Sequence, residues 1–479
     1  MSYPSVYPTG ATVYNPEKCF NGYTVYQAME HGVLLIDMNG AEKNFWKGLH
    51  AFPPKMLPGG RVIGSTGERN TKFSTQDKLN LVQVDWDGNI EWKFDQYEYI
   101  EDPGETPQWM ARQHHDYQRE GNPVGYFTPG MEPKVDSGNT LILGHKNLVE
   151  KKISDKVLLD DVIYEVTWDG DIVWEWVFSE HFNELGFSEE AKNVFARNPN
   201  IRPSGGGIGD WAHVNSMSAL GPNKWYDNGD ERFHPDNIII CARELNVTCI
   251  ISKETGKIVW QLGPEYKEGK LKELGWIIGQ HHAHMIPQGL PGAGNILIFD
   301  NGGWAGYGAP NPSCEIGHRN VLRDYSRILE IDPVTLDIVW QYTPFEIGLV
   351  FPVDFNRFYS PFVSSAQRLP NGNTLITEGA SGRMIEVTAD HELVWEYISP
   401  YWGSVVNINQ VYRAYRVPYE WVPQLDTPEE VAIERPDVRD LRVEGAAPKG
   451  AQREVSVEGT LPFFSGSTLC VATNVDDEE

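Results

Sequence analysis

Residues Ile163 to Trp174 read IYEVTWDGDIVW: an alternating apolar strand, a polar turn around Asp169 and Gly170, and a second strand ending in Trp, the pattern of a β-hairpin. Five other stretches follow the same plan. They are LLIDMNGAEKNFW (Leu34 to Trp46), LVQVDWDGNIEW (Leu81 to Trp92), CIISKETGKIVW (Cys249 to Trp260), ILEIDPVTLDIVW (Ile328 to Trp340) and MIEVTADHELVW (Met384 to Trp395). Between most of them lies a turn followed by one apolar strand, as in MLPGGRVIG (Met56 to Gly64), SGNTLILGH (Ser137 to His145), PDNIIICAR (Pro235 to Arg243), AGNILIFDN (Ala293 to Asn301) and LPNGNTLITEG (Leu369 to Gly379). An inner strand pair plus an outer hairpin makes a four-stranded sheet, and radial repetition of such sheets is the β-propeller. The repeat predicts an all-β chain folded as a six-bladed β-propeller.

The first hairpin has no inner strand ahead of it, so the ring must close through the other end of the chain. INQVYRAYRV (Ile408 to Val417) has the alternation to supply that strand, pairing the N- and C-terminal segments in one blade. Residues 1–424 are then the propeller. Residues 425–479, rich in Pro, Glu and Asp, are expected to wrap its surface or to be partly disordered. Extra residues collect after the hairpin Trp and before the next inner strand (96–113, 178–210, 264–279, 343–359), with one further insert at 301–324. In a repeat fold such insertions gather on the binding face, which predicts long top-face loops.

With 67 acidic against 40 basic residues the net charge is -27, which argues against nucleic acid and anionic membrane as partners. No apolar run reaches the roughly 20 residues of a membrane span, and Met1 to Ser5 lacks the basic and apolar regions of a signal peptide, so the expected location is cytoplasmic. The five cysteines are scattered, without metal-ligand spacing, as in a reducing compartment.

The chemistry is expected in the histidines. His50, His114 and His115 (RQHHDYQ), His213 (DWAHVNS), and His281, His282 and His284 (GQHHAHM) all stand where an inner strand begins beside the central channel. Strand alternation lets only one of His114 and His115 face the axis, and His115 is the one chosen. The same alternation puts Asn215 on the face of His213, and His282 on that of His284, with His281 opposite. Neutral imidazole serves as nucleophile, base or metal ligand, so residue type alone does not choose among these roles. Trp109, Trp211, Trp304, Tyr307 and Phe358 in the top loops are candidate walls for an aromatic substrate.

Taken together, YPTGATVYNPEKCFNGYTVY, DWAHVNS, GQHHAHM with GNILIFDNG, YSRILEID, LPNGNTLI and VYRAYR resemble the arylsulfotransferase family, six-bladed propellers that move a sulfuryl group between phenols without a nucleotide donor. The resemblance runs from about Tyr7 to Tyr419. It implies that His213, His281 or His282, and Arg327 of the Tyr-Ser-Arg motif bind or polarise the sulfuryl group, and that no cofactor is needed. It also exposes a departure: the segment matching the family's sulfated histidine, SPFVSSAQRLPNGNTLI (Ser360 to Ile376), contains none, and Ser364 and Ser365 stand there. The nearest later histidine, His391, falls in an outer-hairpin turn.

Three readings follow. The first is an arylsulfotransferase-like enzyme for a small phenolic substrate, with His115, His213, His282 and Arg327 catalytic, and Asn215, His281, His284, Trp211 and Tyr307 binding substrate. The second is a metal-dependent lyase, hydrolase or oxidase on the same scaffold, with copper, nickel, zinc or iron held by His50, His115, His213 and His282. The third is a non-enzymatic interaction platform. The expected partner is a small aromatic molecule, and the sequence leaves a homodimer open.

Overall fold

The computed structural model describes residues 8–200, 209–312, 314–404, 406–437, 442, 445, 453 and 455–459. Six antiparallel sheets of four or five strands form the blades of a propeller, and two short two-stranded ribbons (98–100 with 108–110, 305–307 with 318–321) sit in the inserts. From the inner strand outward, blade 2 is Arg61–Ser65, Leu81–Val84 and Ile90–Phe94 behind His50–Leu57. Blades 3, 4 and 5 repeat this behind the inner strands Gln113–Arg119, Val214–Ala219 and His281–Met285, and blade 6 behind Ser365–Arg368.

Blade 1 closes the ring as the sequence predicts. Ala414–Val417 is its inner strand, paired antiparallel with Tyr23–Ala28 from the start of the chain. A second closure was not legible in the repeats: Gly10–Tyr14 adds a fifth, outermost strand to blade 6 by pairing with Leu393–Ile398. Of the segment beyond 424, Ile433 bridges Tyr14 and Glu430 accepts a hydrogen bond from Asn21; residues 460–479 lie outside the described residues.

The hairpin tryptophans explain why the blades pack as a ring. Trp92, Trp174, Trp260, Trp340 and Trp395 each occupy the third position of an outer strand, just past a bulge. In every blade an outer-strand indole N–H donates to a backbone carbonyl in the hairpin turn of the next blade. Trp46 reaches Asp85, Trp92 reaches Trp168, Trp176 reaches Gly256, Trp260 reaches Pro333, Trp340 reaches Ala389, and Trp395 reaches Met38, at 2.7–2.9 Å. In blade 3 the donor is thus Trp176, two residues beyond Trp174. Each bond contributes about 1 kcal/mol and satisfies an indole that packing has desolvated.

A second local feature positions the site. The inner strands of blades 2 to 5 all break register with their neighbours near their axial ends. In blades 3, 4 and 5 a histidine there takes a left-handed backbone: His115 at φ +50°, His213 at +52° and His282 at +51°. Non-glycine residues avoid this region, and bulges that hold them there re-aim side chains out of strict strand alternation.

A histidine-lined candidate site on the propeller axis

The bulged histidines meet in two layers. In the upper layer the His115 ring lies 4.7 Å from that of His213, edge to face across two blades, and 5.6 Å from Tyr412 of blade 1. Phe52 of blade 2 stacks on Tyr412 at 3.7 Å and touches His115 at 5.3 Å. His281 approaches Tyr412 at 6.5 Å and is held by Asn301 Oδ1 at 2.8 Å. In the lower layer His282 packs on His284 at 4.4 Å and lies 3.4 Å from the Tyr415 hydroxyl, while His284 Nε2 meets the Tyr126 hydroxyl at 2.9 Å. The sequence placed His213 and His282 at one centre; the structure sets His213 against His115 and His282 against His284.

His213 differs from its neighbours. Its Nδ1 lies 2.7 Å from Asp210 Oδ2, and its side chain is 17% exposed where that carboxylate is 3% exposed. Burial opposes a charge on this ring, but the Asp210 carboxylate outweighs it and raises the His213 pKa; Asp210 is lowered in turn, the charge of His213 overcoming burial. His115, His281 and His282 are at most 5% exposed, and burial, reinforced by nearby positive groups, holds all three well below 6.5. Burial pushes His284 down to about 4. The axis is therefore lined with neutral imidazoles, except where Asp210 supports a charge.

Other expected residues fall elsewhere. Arg327 begins the third strand of blade 5, and its guanidinium is spent on Asp300 Oδ2 (2.8 Å) and the carbonyls of Trp276 (2.9 Å) and Leu274 (3.3 Å). Its partners are thus its cross-strand neighbour Asp300 and the insert that precedes blade 5. His50 is exposed, with Lys78 and Glu68 as its charged neighbours. Asn215 sits inside the blade 4 bulge, which cancels the alternation that put it beside His213; its amide donates to Gln280 O at 2.8 Å. Trp211 is fully buried among Phe178, Phe182 and Phe195, with its indole on Asp160 at 2.8 Å. Tyr307 donates to Trp211 O at 2.9 Å and lines a cleft of about 320 Å³ with Asn246, Trp276 and Lys267. Phe358 is core, Trp109 pairs with Tyr99, and Trp304 remains exposed. Ser364 Oγ is tied to Ser360 Oγ at 2.8 Å and to Gly379 N–H at 3.1 Å.

Several groups escaped the sequence reading. Arg243 is the guanidinium whose charge bears on both His213 and His281; its Nη1 contacts Glu244 at 2.5 Å and it lies 5.9 Å from the Trp304 ring. Arg413 of blade 1 binds Asp116 Oδ2 at 2.8 Å, sharing that carboxylate with Lys55, whose Nζ is 2.6 Å from Oδ1. Behind His115 stands a further layer: His114 Nδ1 is 2.7 Å from His115 Nδ1, and the His114 ring stacks on His145 at 3.6 Å. The available signals were the D-x-x-H spacing of Asp210 and His213, and two adjacent carboxylates inside the apolar strand LLDDVIYEV.

Two solved structures are loosely similar to this chain. A protein of unknown function from Bacteroides caccae is 11% identical, with 83% of this chain and 99% of that one aligned at a TM-score of 0.40. Virginiamycin B lyase from Staphylococcus aureus is 11% identical over 81% of this chain and 84% of its own, at 0.34. Likenesses this loose carry nothing about chemistry. No curated protein matches the chain in sequence. The family model described as Arylsulfotransferase (ASST) matches residues 132–399, more than half of the chain, a span that holds Asp210, His213, Arg243 and the Gln-His-His segment. The chain belongs to the arylsulfotransferase family.

Proposed function

We propose that the axial site moves a sulfuryl group from a small aryl sulfate to a phenol, with His213 as the atom-transferring residue. The observation that carries this is the Asp210–His213 pair at the open edge of an otherwise closed imidazole cluster. A carboxylate on Nδ1–H fixes the tautomer, so that above its raised pKa the neutral ring offers the Nε2 lone pair as nucleophile. This gives the chain a nucleophile although blade 6 carries serines where the family's histidine would be.

In the first step His213 Nε2 forms a bond to sulfur as the S–O bond to the aryl group breaks, and the phenolate leaves as an anion to be protonated by water. Asp210 neutralises the positive charge that develops on the ring. Arg243 and an N–H of His115 suit the sulfate oxygens, the role the sequence gave to Arg327, while His281, whose Nδ1–H is spent on Asn301 Oδ1, turns a lone pair outward. In the second step an acceptor phenol gives its proton to solvent base and attacks sulfur, restoring His213. Phe52, Tyr412 and Trp304 offer faces for the aryl ring.

Purified protein supplied with a chromogenic aryl sulfate and a second phenol should release the first phenol and form the new sulfate ester. His213→Gln should abolish this while leaving the unfolding midpoint near that of the parent. Turnover retained in a folded His213→Gln variant rules His213 out.

A further inference from the structure

We infer that blade 3 holds a divalent first-row transition-metal site made by His114, His145 and Asp161. None of these three is among the residues assigned to sulfuryl transfer, and the inference does not depend on that reading. The ligands come from three successive strands of one sheet, Gln113–Arg119, Thr140–Leu148 and Leu158–Val166, and His145 and Asp161 are direct cross-strand partners. A sheet holds such a set more rigidly than loops do.

The nitrogen chemistry points to an ion. His114 and His145 are each 1% exposed, and the Nε2 atoms of both lack any hydrogen-bond partner. Leaving two buried acceptors unused is costly unless something binds them. One ligand atom from each of the three residues falls within 4.8 Å of the other two. His114 Nε2 is 3.3 Å from Asp161 Oδ1 without hydrogen-bond geometry. That is the spacing of two ligands about 2.1 Å from one ion at a near-tetrahedral angle. The two imidazoles lie 12° from parallel, so the His114 ring must turn about its Cβ–Cγ bond, His145 being held by Asp77, to bring both lone pairs to one point.

The surroundings are those of a ligand set. His145 Nδ1 lies 2.5 Å from Asp77 Oδ1, and Asp77 is anchored by Arg112 at 2.8 Å and Arg69 at 3.3 Å. A carboxylate behind a histidine in this way fixes the tautomer that leaves Nε2 free and makes it a better donor. Two imidazoles and one carboxylate suit zinc or ferrous iron over calcium or magnesium. An ion on His114 Nε2 would also leave its proton on Nδ1, facing His115 Nδ1, so that His115 presents its Nε2–H to the axis.

The test uses full-length protein stripped with a chelator and titrated with Co2+, read by visible absorption and by metal analysis after gel filtration. The expected result is one equivalent bound, with a d–d spectrum of a nitrogen- and oxygen-ligated ion, and displacement by Zn2+. His145→Gln and Asp161→Asn should lose the bound equivalent, and exposed His31→Gln should keep it. Asp77→Asn, which removes no ligand, should bind one equivalent about 10–100-fold more weakly, and this arm decides the matter if the ligand variants fail to fold. No bound equivalent in the parent, or affinity unchanged in Asp77→Asn together with either folded ligand variant, overturns the site.

Discussion

Replacing Asp210 by Asn tests how the axial site is tuned, because the two atoms that would change are in contact. His213 Nδ1 and Asp210 Oδ2 are 2.7 Å apart, and every other influence named for His213 except Glu244 lowers its pKa: burial first, then Arg243. With charge centres about 4 Å apart and an effective dielectric near 20, the attraction of the pair is about 4 kcal/mol. Asp210→Asn should therefore carry His213 from above 6.5 to well below it, seen by NMR titration of its ring. The Asn amide can donate to Nδ1, which moves the ring proton to Nε2 and removes the attacking lone pair; losses of about 10²–10⁴ in turnover accompany such exchanges. The assay is phenol release from an aryl sulfate across pH 5 to 9. A variant that keeps turnover within about threefold and an unshifted His213 titration would refute the dyad.

Two further predictions concern stability. Arg119 and Arg368 end the inner strands of blades 3 and 6, Arg416 is next to last in that of blade 1, and each lies over the Trp of the preceding blade, at 4.6, 5.2 and 4.7 Å. Arg368 and Arg416 pair with Glu330 and Glu386 beside that Trp, but blade 2 has Gln83 in this place and all three side-chain nitrogens of Arg119 lack a partner. Arg416→Met should cost about 3–5 kcal/mol in urea unfolding, since it strands Glu386, whereas Arg119→Met should cost under about 1 kcal/mol; equal losses would contradict the comparison. The second is pH dependence. In metal-stripped protein, His114, His115, His145, His281, His282 and His284 all have folded pKa values lowered by burial, so unfolding takes up protons as the pH falls from 6.5 towards 4 and stability drops. Asp160, pushed up to about 7 by burial, and Asp161, raised in the same way, act in the opposite sense over the same window. The six histidines outnumber the two aspartates, so stability falls with pH over this window, measurable as urea midpoints at pH 5, 6 and 7; a flat profile would mean that these rings are charged in the fold.

The propeller was legible because its signal is periodic: six hairpins ending in Trp, five of whose indoles tie one blade to the next. Ring closure through VYRAYR was legible for the same reason, since an unpaired first hairpin demands a strand. The site was read less completely. Position at the start of an inner strand singled out His115 and His213, whose rings lie 4.7 Å apart, but alternation could not foresee the bulges, and without them Asn215 was put beside His213. Arg327 was chosen by motif, and only packing reveals that Asp300 and two carbonyls occupy it. His145 and Asp161 became neighbours through cross-strand pairing and Asp77 reaches His145 from the segment between two strands of blade 2, for which a single sequence holds no pattern beyond two acids in an apolar strand.

The most direct test of the central claim is to mix the full-length protein with a chromogenic aryl sulfate and no acceptor, quench in alkali, and map the sulfuryl group by peptide mass. The account predicts a burst of phenol equal to the enzyme concentration, with one SO3 group on the peptide carrying His213, discharged when a phenol is added. A burst with the group on any other residue, or no burst with turnover intact, would contradict it.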